Sequence, residues 1–127
     1  MAQSTEILPN GLQLLQDDRF FKLGQDSVLL SAFAKPRRNA KLLDLGCGTG
    51  ALALLVWRPD LTITGLELQD GPLDLFRQSI AANELENVTA LQGDLRQMRT
   101  LLPHGSMDYV ICNPPYFDRN AGANAPT

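Results

Sequence analysis

From residue 41 onward, short apolar runs of strand length alternate with segments whose apolar residues recur with helical period. This alternation is typical of parallel strands connected by helices, and it constrains the fold more than any other feature of the chain. Right-handed crossovers between such strands give the order 3-2-1-4, so the prediction is an α/β, Rossmann-like sheet. The predicted strands are 41–45, 61–68, 88–92 and 107–112, and the predicted helices are 49–57, 72–83 and 95–102.

The chain of 127 residues has the length of one domain, and we divide it into three parts. Residues 1–40 are expected to form a hairpin, from 12–15 and 20–23, followed by a capped helix over 26–34. Residues 41–117 form the predicted core. Residues 118–127 contain no apolar run to pack, and we expect a flexible tail.

The formal net charge of −3 does not predict a basic surface over the whole molecule. Attraction to a nucleic acid would depend on local patches, and the one compact basic cluster is Lys35-Pro36-Arg37-Arg38. This cluster could contact a phosphate backbone, but a solvated linker at the domain edge is the preferred interpretation. The longest apolar run, 51–57, is too short to cross a bilayer, and the N-terminus does not resemble a signal peptide. The two cysteines, Cys47 and Cys112, lie in apolar contexts without metal-ligand spacing, so we expect reduced buried thiols, no metal and a cytoplasmic protein.

The segment Asp44-Leu45-Gly46-Cys47-Gly48-Thr49-Gly50 connects the first core strand to the first core helix. Alternating glycines allow a tight turn and let a nucleotide-type ligand approach the backbone. Gly46, Gly48 and Ala51 also fit the dinucleotide pattern, with Glu67 at about the expected 20 residues further on, so a nicotinamide-binding interpretation stays open. Asp44 instead favours a ligand that carries a cationic amino group.

Two further acidic residues follow the next two predicted strands. Glu67 ends the second strand, where a carboxylate can accept hydrogen bonds from ribose hydroxyls, although a solvated charge is an alternative. Asp94 follows the third strand and can accept from an adenine amino group, or cap a helix. With Asp44, the acids match the amino-acid tail, ribose and base of S-adenosylmethionine.

The fourth strand ends at Asn113-Pro114-Pro115-Tyr116. Two prolines stop a strand and stiffen the residues that follow. The strand order 3-2-1-4 reverses between strands one and four, where ligands bind in such sheets. The sequence therefore predicts that this motif and the glycine-rich segment meet in one crevice.

Together these motifs resemble the class I S-adenosylmethionine-dependent methyltransferases, in particular the branch that methylates amino groups and carries Asn, Asp or Ser before Pro-Pro-aromatic. Residues 21–33 are similar to a segment of the bacterial valine-tRNA adenine-N6 methyltransferases. The resemblance implies S-adenosylmethionine as cofactor, tRNA as partner and adenine N6 as the methyl acceptor. The cofactor-binding residues it implies are Asp44, Gly46, Cys47, Gly48, Gly50, Glu67, Leu68, Asp94, Leu95 and Asn113.

The implied catalytic residues are Asn113, Pro114, Pro115 and Tyr116. The exocyclic nitrogen of adenine is a poor nucleophile because its lone pair is shared with the ring. Acceptors on its N–H groups, the Asn113 side chain and the Pro114 carbonyl, would favour the charge that develops during attack. Tyr116 would stack on a flipped-out base, while Pro115 stiffens the turn.

Members of this class generally continue for three more strands after the motif. We therefore expect a sheet that lacks the last three strands, with an exposed edge strand that can pair and with uncertain activity. The alternatives to a tRNA methyltransferase are a protein glutamine-N5 methyltransferase, a DNA adenine-N6 methyltransferase and a nucleotide-binding remnant without activity. The sequence does not predict an oligomeric state.

Overall fold

The computed structural model describes residues 3–20, 25–102 and 105–112. Its strands are β1 (Gln3–Ile7), β2 (Gln13–Asp17), β3 (Lys41–Leu45), β4 (Thr62–Glu67), β5 (Val88–Gln92) and β6 (Tyr109–Cys112). Its helices are α1 (Gln25–Phe33), α2 (Ala51–Leu55), α3 (Asp70–Ala82) and α4 (Met98–Leu101), with a 3-10 turn at Leu95–Gln97. Every predicted core strand and helix occurs in the structure, with boundaries shifted by at most a few residues.

The main sheet has the order β5-β4-β3-β6, and all its strand pairs are parallel. This confirms the predicted order 3-2-1-4. The central strand β3 is buried on both faces from Leu42 to Asp44, as expected for a strand with a parallel neighbour on each side. Because β3 and β6 are neighbours, Leu45 at the end of β3 pairs with Cys112 at the end of β6.

The N-terminal hairpin differs from the prediction. Strand β2 covers the expected 12–15 region but pairs antiparallel with β1, and residues 21–23 of the predicted partner lie outside the described residues. The chain reverses at Gly11, whose φ of +88° suits glycine, and the Leu8 and Leu12 backbones close the turn with a 2.8 Å hydrogen bond. The sequence signal for β1 is weak because all five of its residues are exposed.

Side chains of α3 bind the second edge of β2. Ser79 Oγ accepts a hydrogen bond from the Leu15 N–H at 2.9 Å, and Asn83 Oδ1 accepts one from the Gln13 N–H at 2.8 Å. The Asn83 amide also donates to the Gln13 carbonyl at 2.7 Å. The helix therefore supplies the partners that a third strand would otherwise provide, and it fixes the hairpin against the core.

The core lies between the main sheet and its helices. Its largest fully buried apolar side chains are Phe76, Leu14, Leu42, Leu43, Leu54, Leu61, Ile63, Leu66 and Leu73. Within the described ranges, no helix has the length and apolar character needed to cross a membrane. The predicted tail at 118–127 lies outside the described residues, so the three-part division of the chain stays a prediction.

Candidate functional site

The glycine loop, residues 46–50, connects β3 to α2. Gly46, Gly48 and Gly50 adopt φ values of +64°, +57° and +89°, a conformation that other residues rarely adopt. A Cβ atom added at Gly46 or Gly48 would meet no atom within 4 Å, whereas one at Gly50 would lie 2.1 Å from Phe76 Cδ1. The first two glycines therefore leave open space beside the backbone, and the third makes room for a ring.

Phe76 of α3 supports the loop from inside the protein. A Cβ atom at Gly65 of β4 would lie 2.5 Å from Phe76 Cε2 and 2.8 Å from Cys47 Sγ. Gly65 is therefore required for this packing, a role that the sequence analysis missed. An isolated glycine within a strand is the signal that could have identified it, because it often marks a close approach of neighbouring groups.

Asp44 is buried near the carboxyl end of β3, with 1% of its surface exposed. Its carboxylate accepts a hydrogen bond from the Ala53 N–H in the first turn of α2, where the N-cap residue Gly50 has no side chain to do so. The Oδ2 atom has no hydrogen-bond partner among the described residues. Burial, with a smaller contribution from the charge of Glu67, raises the pKa of Asp44 to about 8. The site thus holds a buried carboxyl group that lacks one donor.

Glu67 connects the ends of the adjacent strands. Its Oε1 accepts a hydrogen bond from the Gly48 N–H at 2.8 Å, and its Oε2 accepts one from the Gln69 N–H at 3.0 Å. The Glu67 carbonyl also accepts from the Gly93 N–H after β5, at 3.0 Å. Each carboxylate oxygen keeps acceptor capacity for a further donor such as a ribose hydroxyl. The predicted convergence of Glu67 with the glycine loop is therefore present.

Asp94 follows β5 and forms local contacts. It accepts a hydrogen bond from the Arg96 N–H at 2.9 Å, and its Oδ2 lies 2.6 Å from Arg96 Nη2. Hydrogen bonds to Arg96 lower the pKa of Asp94 to about 2. The capping alternative for this residue is thus observed, and its carboxylate is ionised at neutral pH.

The remaining predicted residues divide into described and undescribed ones. Leu68, directly after β4, is 60% exposed, whereas Cys47 is buried and burial raises the pKa of its thiol. The expectation that both cysteines are buried is wrong for Cys112, which is exposed at the end of the edge strand β6. Leu95 begins the 3-10 turn. The predicted catalytic segment, Asn113-Pro114-Pro115-Tyr116, lies outside the described residues. Within the described ranges, no cluster of His, Cys, Asp or Glu is arranged to hold a metal ion.

Comparison with known proteins identifies the family. The family model for the methyltransferase small domain matches residues 24–125. The chain belongs to this family. It is 36% identical over 105 residues to the tRNA1(Val) (adenine(37)-N6)-methyltransferase of Pseudoalteromonas translucida (strain TAC 125), an alignment that covers 81% of this chain and 44% of that relative. The methyltransferase small domain seen here therefore spans less than half the length of this relative.

Solved structures agree on the fold. The chain is similar to the Pyrococcus abyssi tRNA (uracil-54, C5)-methyltransferase in complex with S-adenosyl-L-homocysteine, with a TM-score of 0.69 and 15% identity over 91% of this chain and 29% of that one. It is equally similar to M. jannaschii TYW2 in complex with AdoMet, with a TM-score of 0.69 and 17% identity over 85% and 49% of the two chains. At these identities the likeness shows a shared Rossmann-like methyltransferase fold.

Proposed function

We propose that the chain binds S-adenosylmethionine at the carboxyl edge of the sheet and methylates an exocyclic amino group, the N6 of adenine in tRNA. The observation that carries this proposal is the unpartnered Oδ2 of Asp44, buried beside a glycine loop that Glu67 holds from the next strand. Membership of the methyltransferase small domain family supports the reaction class. The relative from Pseudoalteromonas translucida is named as a tRNA adenine-N6 methyltransferase, and this supports adenine in tRNA as the substrate.

The described residues fit the parts of this cofactor. The cationic amino group would favour the ionised form of Asp44, whose isolated charge is otherwise unfavourable in the folded chain. Glu67 would accept from the ribose hydroxyls, and the open space at Gly46 and Gly48 would admit the ligand against the backbone. Asp94, with Leu68 and Leu95, would complete the adenine end. The bound cofactor supplies an electrophilic methyl group on a sulfonium.

The acceptor groups of the reaction belong to the segment that follows β6. We assign Asn113 and Pro114 the role of accepting hydrogen bonds from the target amino group, Pro115 that of stiffening the turn, and Tyr116 that of stacking on the base. The pairing of Cys112 with Leu45 supports this assignment, because β6 then ends next to the strand that leads into the glycine loop. Transfer of this kind requires no strong general base.

Calorimetry with S-adenosylmethionine tests cofactor binding, with Asp44→Asn as the variant that removes the carboxylate. We expect binding by the wild-type chain and a loss of about tenfold or more in the variant, because the ion pair with the amino group is lost. A folded chain that does not bind the cofactor, or that prefers NADH in competition, would contradict the proposal.

Methyl transfer to a tRNA transcript tests the acceptor. Mass spectrometry of the digested RNA should detect N6-methyladenosine, and Tyr116→Ala, which removes the ring that would stack on the base, should abolish it while cofactor binding persists. Transfer to DNA or to protein glutamine instead would support one of the alternative substrates. Cofactor binding without any transfer would identify this chain as a cofactor-binding unit without activity.

A further inference from the structure

The segment between α1 and β3, residues 34–40, carries three exposed cations, Lys35, Arg37 and Arg38. We call it the basic segment. None of the three forms an ion pair with any residue that the structure describes, whereas Arg19, Arg58 and Arg96 each bind an aspartate. In a chain with a net charge of −3, this is a local concentration of uncompensated positive charge.

The backbone of the basic segment is held in place while its cationic side chains stay exposed. Arg58 donates hydrogen bonds to the Pro36 carbonyl at 3.0 Å and to the Arg37 carbonyl at 3.2 Å. The Arg58 side chain is itself fixed by Asp60, which also accepts from the Asn39 N–H at 2.8 Å. A surface that is already ordered loses little conformational entropy when a ligand binds.

An exposed aromatic ring lies next to these cations in the chain. Phe33, the last residue of α1, is 78% exposed and precedes Lys35 by two residues. Its ring is therefore accessible to a ligand that also contacts the basic segment. Aromatic rings that stack on unpaired bases, together with cations that bind phosphates, are the usual combination in surfaces that bind single-stranded nucleic acid.

We infer that Phe33 and the basic segment form an RNA-binding surface that is separate from the methyl-transfer site. This inference rests on the proposed function for its choice of RNA as the polyanion. The charge of the surface is complementary to phosphate, and its ring offers a stacking face to a base.

The position of this surface in the fold sets how far a bound RNA must reach from the methyl-transfer site. The basic segment enters β3 at Lys41, whereas the glycine loop leaves β3 at Leu45. Five strand residues at about 3.3 Å each separate the two ends of the strand by roughly 15 Å. An RNA that contacts both the surface and the methyl-transfer site must therefore extend over at least this distance.

Fluorescence anisotropy with a labelled anticodon stem–loop RNA tests the surface. We expect the triple variant Lys35→Gln, Arg37→Gln, Arg38→Gln to bind about tenfold more weakly and to lower the slope of log K against log salt by about 2. Arg77→Gln is the matched control, because Arg77 is another exposed arginine without an ion pair among the described residues, on α3. It should bind RNA within about twofold of the wild type, and circular dichroism checks the fold of each variant.

Variants of Phe33 separate stacking from general polyanion binding. Both Phe33→Ala and Phe33→Leu should weaken RNA binding by about fivefold or more, because leucine keeps apolar area but has no ring to stack. Polyglutamate should bind the wild-type chain weakly and without any effect of Phe33→Ala. Equal affinity for polyglutamate and RNA would instead indicate a site for any polyanion and would overturn the inference.

The outcomes distinguish this inference from the proposed function. Three results would each overturn the RNA-binding surface. The triple variant could keep the RNA affinity and salt slope of the wild type, Arg77→Gln could lose as much RNA affinity as the triple variant, or the wild type could fail to bind RNA. Calorimetry with S-adenosylmethionine should give the same affinity for all these variants. A chain that does not bind the cofactor but loses RNA binding in the triple variant would contradict the proposed function and support the surface.

Discussion

Two regions of the molecule each bury an aspartate with only 1% of its surface exposed. The glycine-loop region comprises β3, residues 46–50 and Glu67, and the hairpin region comprises residues 3–19 with the side chains of Ser79 and Asn83 that bind them. In the hairpin region, Asp17 accepts two hydrogen bonds from the Arg19 guanidinium, at 3.0 and 2.8 Å, and one from the Arg19 N–H. These bonds lower the pKa of Asp17 to about 2. In the glycine-loop region, no cation among the residues that the structure describes offsets the burial of Asp44, and its pKa rises to about 8.

The difference shows that burial alone does not determine the state of a carboxyl group in this protein. Around Asp17 the chain supplies partners, and the arrangement stabilises the hairpin. Around Asp44 it supplies one backbone donor and leaves Oδ2 without a partner. A strongly shifted pKa at the ligand-binding edge of an α/β sheet is typical of a functional site, because the missing partner can be supplied by a ligand.

The two aspartates have opposite effects on stability as pH changes. The folded pKa of Asp44 exceeds its ordinary value of 3.8, so the folded state holds the extra proton and stability falls as pH rises from about 4 to about 8. The folded pKa of Asp17 lies below 3.8, so its contribution is complete above that pH and is lost as pH falls through about 2.

The largest predicted effect is that of Asp44→Asn on the unliganded chain at pH 8. We expect the free energy of unfolding to rise by roughly 2 to 5 kcal/mol, because the variant removes the unfavourable buried charge. Urea unfolding at pH 5 and pH 8 measures this, and the decline between these pH values should disappear. Asp44→Ala is the control, since it also removes the acceptor for the Ala53 N–H and should gain less. An unchanged pH dependence in Asp44→Asn would show that Asp44 is ionised without penalty.

Asp17→Asn should have the opposite effect. At pH 6 we expect the melting temperature to fall by several degrees, because the amide cannot pair with the Arg19 guanidinium. Thermal unfolding at pH 6 and pH 3 tests this, and the variant should lose less stability than the wild type between them. A variant as stable as the wild type at both pH values would show that this ion pair makes no net contribution.

Ser79→Ala should weaken the attachment of the hairpin to α3. The Leu15 N–H would lose its acceptor in a buried environment, and the expected loss is about 2 kcal/mol in the free energy of unfolding. Cofactor binding should not change, because Ser79 lies in the hairpin region. Weaker binding of S-adenosylmethionine in a folded Ser79→Ala chain would mean that the two regions are coupled.

Asn83→Ala should have the smallest effect. It removes the hydrogen bonds to the backbone of Gln13, which are exposed, so water can replace them and the loss should be about 1 kcal/mol. Denaturant unfolding of Asn83→Ala and Ser79→Ala under the same conditions ranks the two side chains by their contribution to the free energy of unfolding. A larger loss for Asn83→Ala than for Ser79→Ala would contradict the view that burial sets the strength of these contacts.

The glycine-loop region was largely predictable from the sequence, whereas the pairing of strands in the hairpin region was not. The parallel sheet, its strand order and the glycine loop follow from local patterns: the alternation after residue 41 and the glycines at 46, 48 and 50. The partner of β2 was not predictable, because pairing joins distant residues and the exposed strand β1 has no apolar pattern. The roles assigned to residues 113–116 stay predictions.

The sequence by itself determined the fold class and the position of the candidate site, because periodicity and turn residues act over short distances along the chain. Only the tertiary structure decided that Asp17 and Asp44 are buried, and that Asp44 has no cationic partner in the part of the chain that the structure describes. It also decided that Phe76 packs against Gly50 and Gly65, since these contacts join residues far apart in the chain. The Arg19 partner of Asp17 is only two residues away, but the burial of Asp44 depends on residues far apart in the chain, so its raised pKa emerges only when the chain is folded.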